Sequence, residues 1–546
     1  MKKCIIYLIM TVLVISLLIS GCSNGSPNNV TKTNESKVDQ VLQLNLGEEP
    51  PTLDPQKATD VVSYDVLNAV LEGLVRFDKN GQIKQGSGLA KNWRISKDGL
   101  TYTFNLKDAK WSDGNPITAN DFEYAWKRAL DPNTAAAFAY ELYYIKGAKE
   151  YNTGKGTAEQ VAVKALNDKT LQVTLNEPTP QFLDLLASPI YFPLEKSIYE
   201  KYGDNIGTSP DKLVYSGPFI LKTWNHEQNL ELYKNENYWD KNNVKLQKVI
   251  LYEIKDTNTE IQNYEAGELD EISLNGDFID KYKDSKEFHV QPLAVSWFLQ
   301  FNNKDQIFKN ANIRKAFTLS IDRSLLINNV IKNGSIPAES AVPDVIKGYQ
   351  LEFRKEAGEK YFKDNDVKHA QEYLQKGLKE LGLTKLPTIT LLGEDSDTAK
   401  KYDQALQQMW NKNLGVNVQI KSEAFKVYLD DLTKGNYELA MSGWGANYCN
   451  DPMAFLDMWE TNNANNSAFY SNPNYDRLIE EAKAINNLKI RNDKLIQAEK
   501  ILMNDMGIGP LYFESSAYIL KSYVKDFCIP KYGGPDWEIK WAYIEK

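Results

Sequence analysis

The chain of 546 residues is poor in the side chains that most often carry catalysis or bind metals. Its 3 histidines, His226, His289 and His369, lie far apart in polar surroundings. The sequence contains no H-E-x-x-H, G-x-S-x-G or P-loop motif, and no Cys/His spacing that suggests zinc. Carboxylate pairs are abundant, but without geometry they assign no acid and base. We therefore predict a non-enzyme that needs no cofactor and no metal, with an exported hydrolase as the alternative.

Basic charge is also scarce. The sequence has 64 Lys and Arg against 73 Asp and Glu, a formal net charge of -9, and the charges are spread along the chain. A nucleic-acid-binding protein needs a basic face that displaces counterions from phosphates. The composition therefore favours a water-soluble protein of roughly three to four domain-sized units and argues against a nucleic-acid partner.

The first residues have the pattern of an export signal. A basic start is followed by an uncharged run, Cys4–Ile19, which at about 16 residues suits a signal peptide and is short for a free-standing transmembrane helix. The next residues, up to Cys22, resemble a bacterial lipobox, which implies cleavage after residue 21 and diacylation of the Cys22 thiol. Residues 22–40 are polar and predict a flexible tether. The alternative is an ordinary signal peptide with a chance cysteine.

Two cysteines remain in the body of the chain, Cys449 and Cys528. One pair provides no dense disulfide framework to hold a fold of this size. We expect two free thiols, with a single disulfide as the alternative.

Hydrophobic periodicity predicts an α/β protein. Alternating residues indicate strands at 42–46, 102–106 and 171–175 and a hairpin at 219–233, and helices are expected from Ser63 and from the Thr118/Asp121 capping pair. A helix over 313–334 should break at Asp322, whose side chain would cap its second half. The most informative run then follows, in the order strand, helix, strand, helix, strand: 388–392, 399–414, 416–420, 425–434 and 437–442. Right-handed crossovers make these three strands parallel.

The third strand of this unit leads into GWGANYCNDPMAFLDMW, residues 443–459. Gly443 and Gly445 permit close approach of another chain, and Trp444, Asn447 and Tyr448 stand beside them. Ligands of open parallel sheets bind beyond the carboxyl ends of the strands. We therefore interpret this stretch as a candidate ligand-binding loop. The other loops of the same rim carry four carboxylates, for each of which a solvated surface position is the alternative: Glu394, Asp395, Asp397 and Glu423.

Six stretches, which together run from about residue 41 to the C-terminus, resemble the family 5 extracellular solute-binding proteins, the oligopeptide-binding receptors of ABC importers. They are EPPTLDPQKATD (49–60), GLAKNWRISKDGLTYTFNLKDAKWSDGNPITANDFEYAWKRALDP (88–132), YSGPFILKTWN (215–225), KNENYWD (234–240), FNNKDQIFKNANIRKAFTLSIDR (301–323) and the 443–459 stretch. The resemblance implies a two-lobed periplasmic-binding-protein-like fold of the cluster C type. Lobe I would comprise 41–295 and 521–546, with an extra subdomain inserted at about 66–187, and lobe II would comprise 296–520.

The resemblance also implies a function. The protein would be a monomer, lipid-anchored at the outer face of the cell membrane, that captures oligopeptides between closing lobes and delivers them to permease subunits coupled to ATPases. Family members hold an extended peptide mainly by backbone hydrogen bonds, as an added strand. The alternatives are a receptor of the same fold for a signalling peptide, or one for a non-peptide solute such as a sugar or a metal chelate.

The resemblance maps the ligand contacts by position. Backbone contacts would come from Asp60, Val61 and Val62 in lobe I and from Gly443, Trp444 and Gly445 in lobe II. Aromatic walls would come from Trp297, Tyr512 and Phe513, each of which has a core position as its alternative.

One departure from the family pattern concerns the peptide N-terminus. Relatives commonly carry Asp in a W-x-A-D-Y segment, where it pairs with the ligand α-ammonium, whereas this chain has Asn447, followed by an extra Cys449. A charge-assisted hydrogen bond contributes about 1.5 to 3 kcal/mol and a neutral one about 0.5 to 1.5 kcal/mol. The change therefore predicts a roughly tenfold loss of affinity for a free N-terminus. The rim carboxylates are candidates to replace the charge; otherwise the ligand is N-blocked, bound in another register, or not a peptide.

Overall fold

The computed structural model describes residues 39–274, 276–358, 360–446, 449–463 and 465–546. The predicted signal peptide, Cys22 and nearly all of the tether lie outside the described residues, as do Asn447 and Tyr448. The side chain of Asp397 is also outside the description. No helix within the described ranges is long and apolar enough to cross a membrane.

Seventeen strands form among these residues. They are β1 Val41–Asn45, β2 Ala90–Ile95, β3 Thr101–Leu106, β4 Val163–Asn167, β5 Thr170–Thr174, β6 Phe219–Asn225, β7 Asn229–Lys234, β8 Lys248–Tyr252, β9 Glu271–Ser273, β10 Phe288–Phe301, β11 Ile336–Pro337, β12 Ile389–Glu394, β13 Val418–Glu423, β14 Leu439–Gly445, β15 Gly509–Leu520, β16 Val524–Lys525 and β17 Tyr543–Ile544.

Sixteen α-helices accompany the strands in the same described ranges. They are α1 Val61–Val70, α2 Ala119–Leu130, α3 Ala148–Asn152, α4 Phe182–Leu185, α5 Lys196–Tyr202, α6 Thr257–Ala266, α7 Gly276–Tyr282, α8 Ala311–Leu319, α9 Arg323–Leu326, α10 Phe353–Ala357, α11 Val367–Leu381, α12 Asp397–Leu414, α13 Phe425–Lys434, α14 Met453–Leu456, α15 Pro473–Lys483 and α16 Leu488–Asp505.

Two four-stranded sheets occupy the N-terminal half. One has the order β1-β8-β7-β6 and contains the predicted hairpin, and the other has the order β2-β3-β5-β4. The predicted capping box of α2 is confirmed, because the Thr118 N–H donates to the Asp121 carboxylate at 2.7 Å. Asp322 likewise caps α9, which confirms the break in the helical run after Leu319.

The third sheet positions the candidate site. Its order is β11-β15-β10-β14-β12-β13, with β9 added on β15. The predicted β-α-β-α-β unit is confirmed, since β12 pairs in parallel with both β13 and β14 and the two helices α12 and α13 connect them. The long antiparallel strands β10 and β15 join this unit into a mixed sheet of seven strands.

The apolar face of α12 helps to form the core beside this sheet. Leu406, Met409 and Trp410 are buried as the 3.6-residue period predicts. The indole N–H of Trp410 donates to the Phe317 carbonyl at 3.0 Å, so the largest side chain of the helix has its polar group satisfied. Gly415 ends the helix in the left-handed conformation.

The prediction that residues 443–445 form a loop is wrong. All three belong to β14, which begins two residues later and ends three residues later than the predicted 437–442 strand. The reason is tertiary, because β10 pairs with β14 as far as Val295 opposite Gly445. The two remaining cysteines, Cys449 and Cys528, are free, as expected.

Candidate ligand-binding site

The end of β14 has one unpaired edge. Its other edge pairs with β10 along the whole strand. On the β12 side, pairing among the described residues stops at Leu439 and Ala440. Since β12 continues to Glu394, which this register places opposite Ser442, residues 443–445 extend beyond β12 and leave room for another extended chain.

The direction of the backbone groups follows from two hydrogen bonds. The Met441 carbonyl accepts from the Tyr428 hydroxyl at 2.6 Å, on the β12 side, and the Ala446 N–H donates to the Ala294 carbonyl at 3.0 Å, on the β10 side. Because successive residues of a strand direct their backbone groups to opposite edges, Gly443 and Gly445 face the open edge together with Met441. An extended peptide laid there would find backbone donors and acceptors at two glycines.

Aromatic side chains hold this strand end in place. A Cβ on Gly443 would lie 3.0 Å from the Trp297 indole, so any larger residue here would push the indole by a few tenths of an ångström. Trp297 stacks on Tyr512, with ring centroids 5.9 Å apart and planes at 16°. The Trp444 indole N–H donates to the Ala454 carbonyl at 2.7 Å, which fixes its ring over the following turn.

A cavity of about 430 Å³, here called the acidic cavity, opens beside this edge. Carboxylates from three elements line it: Glu394 at the end of β12, Asp403 on α12 and Glu514 on β15. Its remaining walls are mostly aromatic or apolar and include Trp297, Tyr402, Phe425, Tyr428, Leu429, Met441, Trp444 and Tyr512. No Lys, Arg or His occurs among the described residues that line it.

Asp403 is the most buried of these carboxylates, with 2% of its surface exposed. Its Oδ2 atom has no hydrogen-bond partner within the described protein. Burial raises the pKa of Asp403 to about 7, because the charged form is poorly solvated. The carboxylate lies against Gly393, where any Cβ would overlap Oδ2. Glu514 differs in that its Oε2 accepts from the Trp297 indole at 2.8 Å, although burial raises its pKa as well.

A second cavity, of about 450 Å³, shares Trp444 and Gly445 with the first. Three tyrosines line it, Tyr140, Tyr143 and Tyr144, and it is therefore called the tyrosine-lined cavity. It also contains Glu141, Lys149, Glu177 and Asp457. Burial raises the pKa of Glu141 to about 7 and that of Asp457 to about 6. The two cavities thus meet at Trp444 and Gly445, at the end of β14.

The segment after the strand is anchored by a buried ion pair. Arg491 on α16 makes two bonds to the Asp451 carboxylate, at 2.8 and 2.9 Å. The Asn450 N–H donates to the Asp184 carboxylate of α4 at 3.2 Å. Cys449 is buried here, which raises its thiol pKa. The loop therefore joins the C-terminal helices to the segment that lines the tyrosine-lined cavity.

The structure brings together only part of the predicted site. Trp297, Gly443, Trp444, Gly445 and Tyr512 all line the acidic cavity. Phe513 is buried and lines neither cavity. Asp60 caps α1 by accepting from the Ser63 N–H at 2.8 Å, and neither it nor its neighbours Val61 and Val62 line either cavity.

The four predicted rim carboxylates do not share one environment. Glu394 faces the acidic cavity, whereas Asp395 pairs with Lys400 and Glu423 pairs with Lys421 at 2.8 Å. The last two therefore already have cationic partners, while Asp397 and Asn447 stay predictions. Asp403 and Glu514 were missed. The signal for Asp403 was its spacing, since it precedes the buried Leu406 by three residues and Trp410 by seven and so lies on the buried helix face.

An open strand edge beside two cavities, with aromatic walls and buried carboxylates, is the kind of site that a solute-binding protein presents. The chain belongs to the bacterial extracellular solute-binding proteins of family 5, whose model (described as "family 5 Middle") matches residues 84–467. This is a family of solute-binding proteins and not of enzymes, and its members act outside the cytoplasm.

Two kinds of relative support this assignment. The chain is 40% identical to the oligopeptide-binding protein OppA of Bacillus subtilis (strain 168), over 95% of this chain and 96% of OppA. Among solved structures it is similar to Listeria monocytogenes OppA bound to peptide (36% identity, TM-score 0.75, 93% of this chain and 100% of that chain). It is also similar to the pheromone receptor PrgZ (35% identity, TM-score 0.76, 93% and 100%). The two-lobed α/β fold is thereby confirmed.

Proposed function

We propose that this protein is the substrate-binding component of an ABC importer and captures oligopeptides. The observation that carries the proposal is the open edge of β14, where Gly443 and Gly445 present backbone groups beside the acidic cavity and Gly445 also lines the tyrosine-lined cavity. Relatives named for oligopeptide binding support the ligand class.

In this proposal the peptide adds to β14 as a further strand. Backbone hydrogen bonds then give affinity that depends little on sequence. Because successive side chains of a strand point to opposite faces, neighbouring peptide residues enter different cavities. The acidic cavity and the tyrosine-lined cavity are suited to this alternation, since they flank the same two residues, Trp444 and Gly445.

Closure of two lobes would enclose the peptide. We place lobe I at 41–295 with 521–546, its inserted subdomain at about 66–187, and lobe II at 296–520. Hydrogen bonds between the two segments, such as Asn450 N–H to Asp184 at 3.2 Å and the Asn486 side chain to the Asp98 carbonyl at 3.1 Å, are of the kind that would form on closure. Ligand contacts made only when both lobes meet would shift the population to the closed form.

The delivery step follows from the export signal. A diacylated Cys22 would hold the monomeric protein at the outer face of the membrane, beside permease subunits driven by ATPases. The PrgZ relative keeps a signalling peptide open as an alternative ligand. A sugar or metal chelate would not use the strand edge. An exported hydrolase would release cleavage products, which mass spectrometry of incubated peptides would detect.

Calorimetric titration of penta-alanine and its five singly N-methylated forms tests the proposal. Each backbone hydrogen bond contributes about 0.5 to 1.5 kcal/mol, and a methyl group in its place also clashes. We expect micromolar or tighter binding of penta-alanine and a roughly tenfold loss for at least one methylated position. Absence of binding by penta-alanine and by peptides extracted from growth medium would contradict it.

A further inference from the structure

The acidic cavity holds more negative charge than the protein itself compensates. Glu394, Asp403 and Glu514 come from three different elements and converge on one space, whose described lining contains no basic residue. Asp395 and Glu423, by contrast, have lysine partners on the surface. The carboxylates of the cavity therefore lack a cationic partner within the described lining, whereas the two nearby surface carboxylates have one.

Asp403 is the strongest sign of a missing partner. Only 2% of it is exposed, it lines the cavity, and Oδ2 has no hydrogen bond within the described protein. Buried carboxylates in proteins are normally paired or hydrogen-bonded, because an isolated one is costly to bury. Oδ2 lies against Gly393, and both residues line the acidic cavity, so we place the partner of this carboxylate in that cavity.

The walls indicate what kind of cation fits. Phe425 and Leu429 on α13, at the mouth, are 56% and 44% exposed, and Tyr402, Tyr428 and Trp297 continue the apolar lining inward. A lysine or arginine side chain buries its aliphatic stem on such walls and brings its charged head to the carboxylates. Aromatic faces add cation–π attraction. An α-ammonium has no stem to use these walls.

We propose that the acidic cavity is a specificity pocket for a basic side chain of the bound ligand, with Asp403 and Glu514 as the carboxylates that receive its ammonium or guanidinium group. The proposal rests on the proposed function, since the ligand is taken to be a peptide along β14. It concerns a side chain, and so differs from recognition of the peptide N-terminus near Asn447.

The experiment uses two matched peptide series. In penta-alanine, each residue in turn is replaced by lysine, or by norleucine, which has a similar stem without the charge. Dissociation constants are measured by calorimetry for the mature protein and for Asp403→Asn, Glu514→Gln and Asp493→Asn. Asp493 is the matched control, an exposed helical aspartate of α16 paired with Lys489 at 2.8 Å.

We expect the lysine peptide to bind at least tenfold more tightly than the norleucine peptide at one position, because lysine forms a charge-assisted hydrogen bond that norleucine cannot form. Asp403→Asn should remove most of this advantage and leave norleucine peptides unchanged, whereas Asp493→Asn should leave both unchanged. Equal affinity of the unmodified protein for the two series would overturn the proposal. Binding of penta-alanine in the same experiment would still support the proposed function. A lysine advantage that persists in both Asp403→Asn and Glu514→Gln would also overturn the side-chain proposal.

N-terminal acetylation of the preferred lysine peptide separates the two sources of positive charge. We expect the acetylated lysine and norleucine forms to keep their ratio. Loss of the ratio on acetylation would assign the cavity to the α-ammonium and overturn the side-chain proposal. Failure of every peptide to bind would count against the proposed function itself.

Discussion

Asp403→Asn should make the ligand-free protein more stable at neutral and alkaline pH. Burial raises the pKa of this carboxyl from its ordinary value of 3.8 to about 7. A pKa displaced by one unit corresponds to about 1.4 kcal/mol, so the ionised carboxylate costs the folded state up to about 4 kcal/mol above pH 7. Asparagine keeps the shape without the charge, and the variant should recover much of that free energy of unfolding.

The sign of the pH dependence is fixed by the direction of the shift. Between pH 4 and pH 7 the folded protein binds a proton at Asp403 that the unfolded chain releases, so this group's contribution to stability falls as pH rises. The other titratable groups that line the acidic cavity are Glu394, Tyr402, Tyr428, Tyr512 and Glu514, and none is a cation at these pH values. The advantage of the variant should therefore be absent at pH 4 and largest at pH 8.

Urea unfolding of ligand-free protein at pH 4, 6 and 8 measures this difference, after bound ligand has been removed by denaturation and refolding. Asp493→Asn, which removes an exposed charge, should change the midpoint little at any pH. The reasoning would be refuted if the gain in free energy of unfolding of Asp403→Asn over the unmodified protein were no larger at pH 8 than at pH 4. A loss of stability at pH 8 would refute it as well, since that loss would mean that the carboxylate has a stabilising partner in the folded chain.

Four further results are expected. Affinity for the preferred lysine peptide should rise by calorimetry from pH 5 to pH 8, because a cation favours ionised Asp403, while affinity for its norleucine match stays flat. Gly445→Val should weaken penta-alanine roughly tenfold by obstructing the strand edge, with an unchanged unfolding midpoint, since a Cβ there meets Val295 at an ordinary 3.5 Å. Arg491→Leu should lower the free energy of unfolding by roughly 3 kcal/mol, because it leaves the largely buried Asp451 carboxylate without its cation. Cys22→Ala should move the protein from the membrane fraction to the medium, as immunoblotting would detect.

The local hydrophobic pattern was sufficient to predict those helices and strands whose own residues show a clear periodicity and clear end signals. The β-α-β-α-β unit was predicted because its helices show a clear apolar face and end at Gly415 and Gly435. The long strands β10 and β15 were not predicted. Pro292 lies within β10, where a proline argues against a strand, and the register shift between Pro292 and Ser296 shows how the sheet accommodates it. Only the pairing partner makes that segment a strand.

The candidate site was predictable at its backbone and not at its charges. Gly443 and Gly445 signalled close approach without any knowledge of the neighbours. The carboxylates were chosen from loops at the strand ends, a rule that found Glu394 but also Asp395, which a surface lysine neutralises. Asp403 lies within a helix, and its importance depends on depth and on the absence of a described partner, which are properties of the packed structure.

Two features of the candidate site are connected by charge. The family resemblance predicts that Asn447 stands where relatives commonly carry an acid for the ligand α-ammonium, while the acidic cavity has carboxylates without a basic neighbour among the described lining residues. If recognition of charge has moved from the terminus to a side chain, acetylating the N-terminus should weaken a lysine peptide less than exchanging lysine for norleucine does. A receptor that still depended on the terminus would show the reverse order. The comparison needs one peptide in three forms, and the order of the three dissociation constants decides between the two modes.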